Sequence, residues 1–225
     1  MAKRFLLLTA VLFSWTLIYS QCQYENETKT LGIGLVEYDN YNHKEPVIQI
    51  FEDPNLTDLF AKWSVYEDEA PCCAKFHKSD YGIAEFVVID STSNSYKILT
   101  NNDEIKYIPK TIDYVFWSWE EYLTESFGIR RKRDDINIKN QPIKSSPDLN
   151  SSTIQLPDER YELLCVLAVK DDWIKIKYDC FYNKDNNQNE GMPCSTYISE
   201  CTDSAIGWLK WKNDNKLLID IFTMP

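Results

Sequence analysis

Apolar residues in this chain recur as short β-branched and aromatic runs broken by Asp, Asn, Ser and Pro, with little of the three-and-four spacing a helix requires. That patterning predicts a mainly β protein. The runs cover residues 47–51, 84–90, 95–100, 163–169, 173–179, 207–211 and 216–221. In 173–179, Ile174, Ile176 and Tyr178 alternate with Lys175, Lys177 and Asp179, the period of a strand with one buried and one wet face. Residues 163–169 are nearly all apolar and are expected to be covered on both faces, by the other half of the chain or by an insertion. Lys170-Asp171-Asp172 and residues 91–94 are polar stretches suited to hairpin turns.

One short helix is expected. Ser118, followed three residues later by Glu121, makes a capping box ahead of Trp119, Tyr122, Leu123 and Phe127, and Gly128 is placed to end it. The charge run Arg130-Arg131-Lys132-Arg133-Asp134-Asp135 has no apolar pattern and reads as a linker over 130–135.

On either side of that run the same parts recur in the same order. The first half has a proline-bearing segment from Pro46 to Pro54, a hairpin containing Phe86-Val87-Val88-Ile89 and Tyr96-Lys97-Ile98-Leu99, and then residues 105–108. The second has Pro142-Ile143 to Pro147, a hairpin containing Leu164-Cys165-Val166-Leu167 and Trp173-Ile174-Lys175-Ile176, and then Gly207-Trp208-Leu209-Lys210. A shared order at similar spacing suggests a duplicated module.

The proline-bearing start, the hairpin turn ending in Trp173, the alternating strand and the Gly207-Trp208 strand resemble a bacterial SH3-like domain. The resemblance covers residues 142–221 well and the first half poorly. In composition the chain also looks like exported proteins of Bacteroidota. The fold the resemblance implies is all-β, two tandem small SH3-like β-barrel domains with one short helix between them. Domain bounds are then 1–20 for a leader, 21–34 for an N-terminal extension, 35–129 for a divergent first domain, 130–135 for the linker and 136–225 for the second domain. Two departures from the family pattern stand out: the first half lacks the Gly-Trp strand, and residues 181–205 form a long insertion that bears on any binding groove.

Residues 1–20 read as a secretory signal, with Lys3 and Arg4 at the start, an apolar run over 5–18 and the small residue Ser20 at the cut. The run is interrupted by Thr9, Ser14 and Thr16, and no later segment has transmembrane length. The expected location is therefore secreted or periplasmic, with the chain starting near Gln21. A lipid on Cys22 is the minor alternative, and Gln21, which is not small, argues against it. The formal net charge is −11, and losing Lys3 and Arg4 lowers it further. Nucleic acid and anionic membrane both demand surplus Lys and Arg, so neither is expected as a partner.

Export permits disulfides. Four of the seven cysteines, Cys165, Cys180, Cys194 and Cys201, fall close together and suggest two bridges. Of three connectivities, Cys165 with Cys180 and Cys194 with Cys201 is favoured. The odd total leaves at least one thiol unpaired or joined to another chain.

Little else carries chemistry. His43 and His77 are the only histidines, and Cys72-Cys73-Ala74-Lys75-Phe76-His77 is the one local grouping of nucleophile and base. A disulfide or structural role suits it better than catalysis or metal binding. The oxygen-rich stretch from Asp185 to Gly191 has its glycine at the seventh place and Thr196 at the twelfth, so it reads as a solvated loop and not as an EF-hand. Asn26, Asn55 and Asn150 head glycosylation sequons. No catalytic residue, metal site or cofactor is expected. Trp173, Tyr178, Trp208 and Trp211 are the candidate ligand-binding residues, with the alternative that they fill small cores.

The expected function is a non-enzymatic exported binding module for cell-envelope peptide or glycan, or for a protein partner, with groove aromatics and acidic rim residues. A structural or inhibitor-like protein acting through one protein contact is the alternative. An enzyme, such as a hydrolase, would need a carboxylate pair or the Cys72/His77 grouping to converge in a cleft.

Overall fold

The computed structural model describes residues 30–38, 46–133, 141–160, 162–182, 184–185, 187–202 and 204–224. The leader with its cut at Gln21, Cys22, Asn26 and His43 lie outside the described residues.

The chain is mainly β, and all of its sheets are antiparallel. The first sheet holds β1 (Gly34–Tyr38), β2 (Val47–Phe51), β3 (Leu59–Ser64), β4 (Phe76–Lys78), β5 (Ile83–Ser91), β6 (Ser95–Thr100), β7 (Glu104–Pro109) and β8 (Tyr114–Ser118). Its order is β3-β2-β7-β6-β5-β1-β8, with β4 beside β5. After α1 (Trp119–Thr124) come β9 (Ile129–Arg131), β10 (Leu164–Lys170), β11 (Trp173–Tyr178), α2 (Cys194–Tyr197), β12 (Ile206–Lys210), β13 (Lys212–Asn213), β14 (Lys216–Leu217) and β15 (Ile219–Ile221). The second sheet runs β12-β11-β10-β9-β15, and β13 pairs only with β14. Outside the named strands, Lys144 bridges Trp208 on one side and Thr153 on the other.

With those bridges included, the two sheets have one strand order. The segment at Thr153, the segment at Lys144, β12, β11, β10, β9 and β15 stand in the places of β3, β2, β7, β6, β5, β1 and β8. The correspondence extends to register. Each hairpin carries a bulge in its first strand, between Val88 and Asp90 in β5 and between Val166 and Ala168 in β10. Aligning the bulges sets Phe86, Val88, Ile98 and Ile108 against Leu164, Val166, Ile176 and Leu209, and all eight are buried. The place of the Gly207-Trp208 pair is taken in the first half by Lys106-Tyr107. Gly207 is required because a Cβ there would lie 2.4 Å from Ile143 Cγ2, closing the space in which the Lys144 segment joins β12.

The first sheet encloses a core of its own that includes Val36, Ile48, Ile50, Trp63, Phe86, Val88 and Ile98. Its opposite face is also apolar. Leu35, Val87 and Leu99 point away from that core and join Leu164, Val166, Ile174, Ile176 and Leu209 of the second sheet in a shared core. The helix α1 sits at this junction. Its capping box is complete, and the Trp119 indole donates to the Leu31 carbonyl at 2.8 Å while its ring lies 5.5 Å from that of Trp211. The helix stops at Thr124 with Glu125 as its cap, so Gly128 does not end it. Gly128, at φ +119°, instead leads into β9, where a Cβ would strike Leu163 at 2.7 Å.

The charge run is not a linker where it is described. Arg130 and Arg131 belong to β9 and pair across to Asp220 and Ile219 of β15. Arg131 is buried, makes a two-pronged contact with the equally buried Glu162, including one of 2.6 Å, and donates to the Gln141 carbonyl at 3.2 Å. The Glu162 carboxylate also accepts from the Arg131 backbone amide at 2.8 Å. A run of basic residues hides this because the strand is short and its one buried cation is neutralised by a residue 31 positions away. Replacing Glu162 by Ala leaves the buried guanidinium only the more distant, exposed Glu159 carboxylate at 3.6 Å, and denaturant unfolding is expected to register a loss on the order of 3 kcal/mol. An unchanged midpoint would return Arg131 to the role of a solvated linker residue.

Candidate functional site

The outer face of the second sheet brings two of the four sequence candidates together. In β11 the odd-numbered side chains point away from the shared core, and antiparallel pairing carries that face onto β10 and β12. One cross-strand row reads Lys170, Trp173, Lys210, and the next reads Ala168, Lys175, Trp208, Lys144. Trp173 and Trp208 are thus diagonal neighbours on adjacent strands, both partly exposed. Four lysines flank them, and among the described residues no carboxylate pairs with any of the four. Lys144 Nζ donates to the Ser151 carbonyl at 3.0 Å and Lys210 Nζ to Asn213 at 3.1 Å, which holds both along the rim. The rim is therefore basic, not acidic as expected. Tyr178 and Trp211 lie elsewhere. Tyr178 packs against the shared core from the opposite face, and Trp211 is 1% exposed with its indole donating to the Asp171 carbonyl at 3.0 Å.

The insertion closes one end of this face. The third row is Cys165, Lys177 and Ile206, and here α2 lies over the sheet. Lys177 is buried beneath it and donates to the Ile198 carbonyl at 2.8 Å. The four clustered cysteines make two bridges, but Cys165 joins Cys194 and Cys180 joins Cys201, with Cα separations of 5.5 and 5.9 Å. The favoured connectivity is thereby corrected. Cys165 stands opposite Lys177 in the hairpin, so Cys180 falls beyond the end of the strand pair, whereas the folded-back insertion delivers Cys194 onto the face where Cys165 points.

The Cys72/His77 grouping does not assemble a nucleophile. Cys73 is disulfide-bonded, and Cys72 is the free thiol that the odd count required. Burial pushes the Cys72 thiol up to about 12, with the charge of Glu104 acting the same way, so no thiolate forms near neutrality. His77 Nε2 is held at 3.1 Å from the Val65 carbonyl. No group of three metal-ligating side chains occurs among the described residues, and none of their helices is long and apolar enough to cross a membrane.

A carboxylate pair does converge, at residues the sequence reading passed over. Glu37 and Glu85 stand directly opposite each other in β1 and β5, at a cavity of about 160 Å³ also lined by Trp117 and Tyr122. The Trp117 indole donates to Glu37 at 2.9 Å and the Tyr122 hydroxyl to Glu85 at 2.5 Å. The visible signal is a single charge inside each of two apolar runs, Gly-Leu-Val-Glu-Tyr and Ile-Ala-Glu-Phe-Val-Val. The cavity is smaller than the roughly 300 Å³ at which ligand pockets begin.

No protein-family model, curated protein or solved structure matches this chain.

Burial, and then the charge of Glu37, raises Glu85 from its ordinary 4.5 to about 7, against the lowering contribution of the Tyr122 hydroxyl. Its folded form holds a proton that its unfolded form has released between those values. The associated stabilisation, about 3 kcal/mol at most, is complete below pH 4.5 and is lost as pH rises through 7. Urea unfolding at pH 5 and pH 8 should therefore show Glu85→Gln gaining on the wild type as pH rises. Parallel pH dependence of the two proteins would contradict it.

Proposed function

We propose that this protein is an exported binding module that takes an anionic glycan strand of the cell envelope across the outer face of its second sheet. The observation that carries the reading is the pair of rows in which Trp173 and Trp208 alternate with Lys170, Lys210, Lys175 and Lys144. Lysines with no carboxylate partner among the described residues, on a chain of net charge −11, make a local field that attracts negative charge. Indole faces supply flat apolar platforms for sugar rings with little side-chain entropy to lose. The second module is the SH3-like one under this reading, and the repeated strand order supports a first, divergent copy fused to it. The disulfide-tied insertion restricts the strand to the open end of the face.

Binding to purified envelope glycans, acidic and neutral, tests this directly. The expected result is salt-sensitive binding to the acidic polymer, weakened about tenfold or more by Trp173→Ala, Trp208→Ala or Lys175→Glu while far-UV circular dichroism is unchanged. Equal binding to the neutral polymer, or binding only to acidic peptide, would overturn the glycan assignment. Indifference to all three substitutions would remove the face itself.

A further inference from the structure

A second site lies between the insertion and the C-terminal segment, and it carries the reverse charge. A cavity of about 510 Å³ opens among the insertion, the end of β11 and the C-terminal segment, within the range of small-ligand pockets. Phe127, Tyr182 and Tyr197 contribute aromatic side chains to its lining, together with Phe222, whose ring already carries the Arg130 guanidinium at 5.3 Å.

Asp179 lines the same cavity and is 2% exposed. Its carboxylate accepts from the Phe181 amide at 2.8 Å and from the Tyr197 hydroxyl at 2.9 Å, two neutral donors. Among the described residues no cation pairs with it. Asp185 and Glu190 add two more carboxylates to the lining, against Lys184 as the one basic residue there. A buried carboxylate without a counter-charge costs free energy that an arriving cation recovers, and the negative faces of aromatic rings favour the same guest.

We propose that this cavity binds a small organic cation, an ammonium group on a compact apolar body, with Asp179 as its counter-ion and Tyr182 as one wall. The Cys165–Cys194 and Cys180–Cys201 bridges tie the insertion down on either side and keep the cavity formed before the ligand arrives. The site does not depend on the glycan face. Its ligand is of opposite charge, and none of its lining residues belongs to the two Trp/Lys rows.

Choline and its uncharged carbon isostere 3,3-dimethylbutan-1-ol serve as probes, titrated calorimetrically into the purified protein. Choline is expected to bind, with at least about a tenfold preference over the isostere. Asp179→Asn, which keeps the acceptor oxygen and removes the charge, is expected to abolish that preference. Tyr182→Ala, at an exposed position that the fold does not need, is expected to weaken choline about tenfold. Equal binding of the two probes, no heat from choline at millimolar concentration, or a preference that survives Asp179→Asn would each overturn the proposal.

Discussion

The packing of Leu35, Val87 and Leu99 into the core of the second sheet is the contact on which the remaining structure depends. These side chains leave the far face of strands whose other face already encloses a core, so β1, β5 and β6 are buried on both sides. That contact also covers the apolar face of the second sheet that lies opposite the Trp/Lys rows. The second sheet needs the first to complete its interior, and only then do Ile174, Ile176 and Leu209 have cover that turns Lys175, Trp173 and Trp208 outward. The Trp119–Trp211 contact and the capped helix hold the seam at the point where the chain passes from one half to the other.

Regular local patterns made part of this arrangement readable. The alternation in residues 173–179, the two hairpins and the Ser118/Glu121 box each depend on residues close in sequence, and each forms where expected. Strands β1, β3 and β8 went unread because Gly34, Lys62 and the Phe116-Trp117-Ser118 end interrupt their periodicity, while sheet neighbours far along the chain fix them. The likeness between the two sheets lies in strand order and register, not in residue identity. Lys106-Tyr107 stands in place of Gly207-Trp208, and where β2 and β3 pair along five positions in the first half, their counterparts in the second meet in the single bridge of Lys144 and Thr153.

The errors share one physical cause, which is that a side chain's partner was unknown. Arg131 looked like a solvated charge until Glu162 was placed beside it, and Cys165 looked ready for Cys180 until the insertion was folded back over β10. Of the aromatic candidates, parity along β11 was enough to separate Trp173 from Tyr178. Burial of Trp211 was not deducible, because it rests on the distant Trp119 ring and on the Asp171 carbonyl that its indole reaches. The lysines around Trp173 and Trp208 were each visible in sequence, but only strand register shows that they form two rows.

The central claim is that the two halves form a single cooperative structure through the shared core, with the outward Trp/Lys rows of the second sheet as its consequence. Native-state hydrogen exchange under increasing urea measures this most directly, by comparing core amides of the β5–β6 hairpin with those of β10–β11. The account predicts that both sets exchange through one global opening with the same free energy and the same urea dependence. Separate openings, with one hairpin's amides exchanging freely while the other's stay protected, would contradict it.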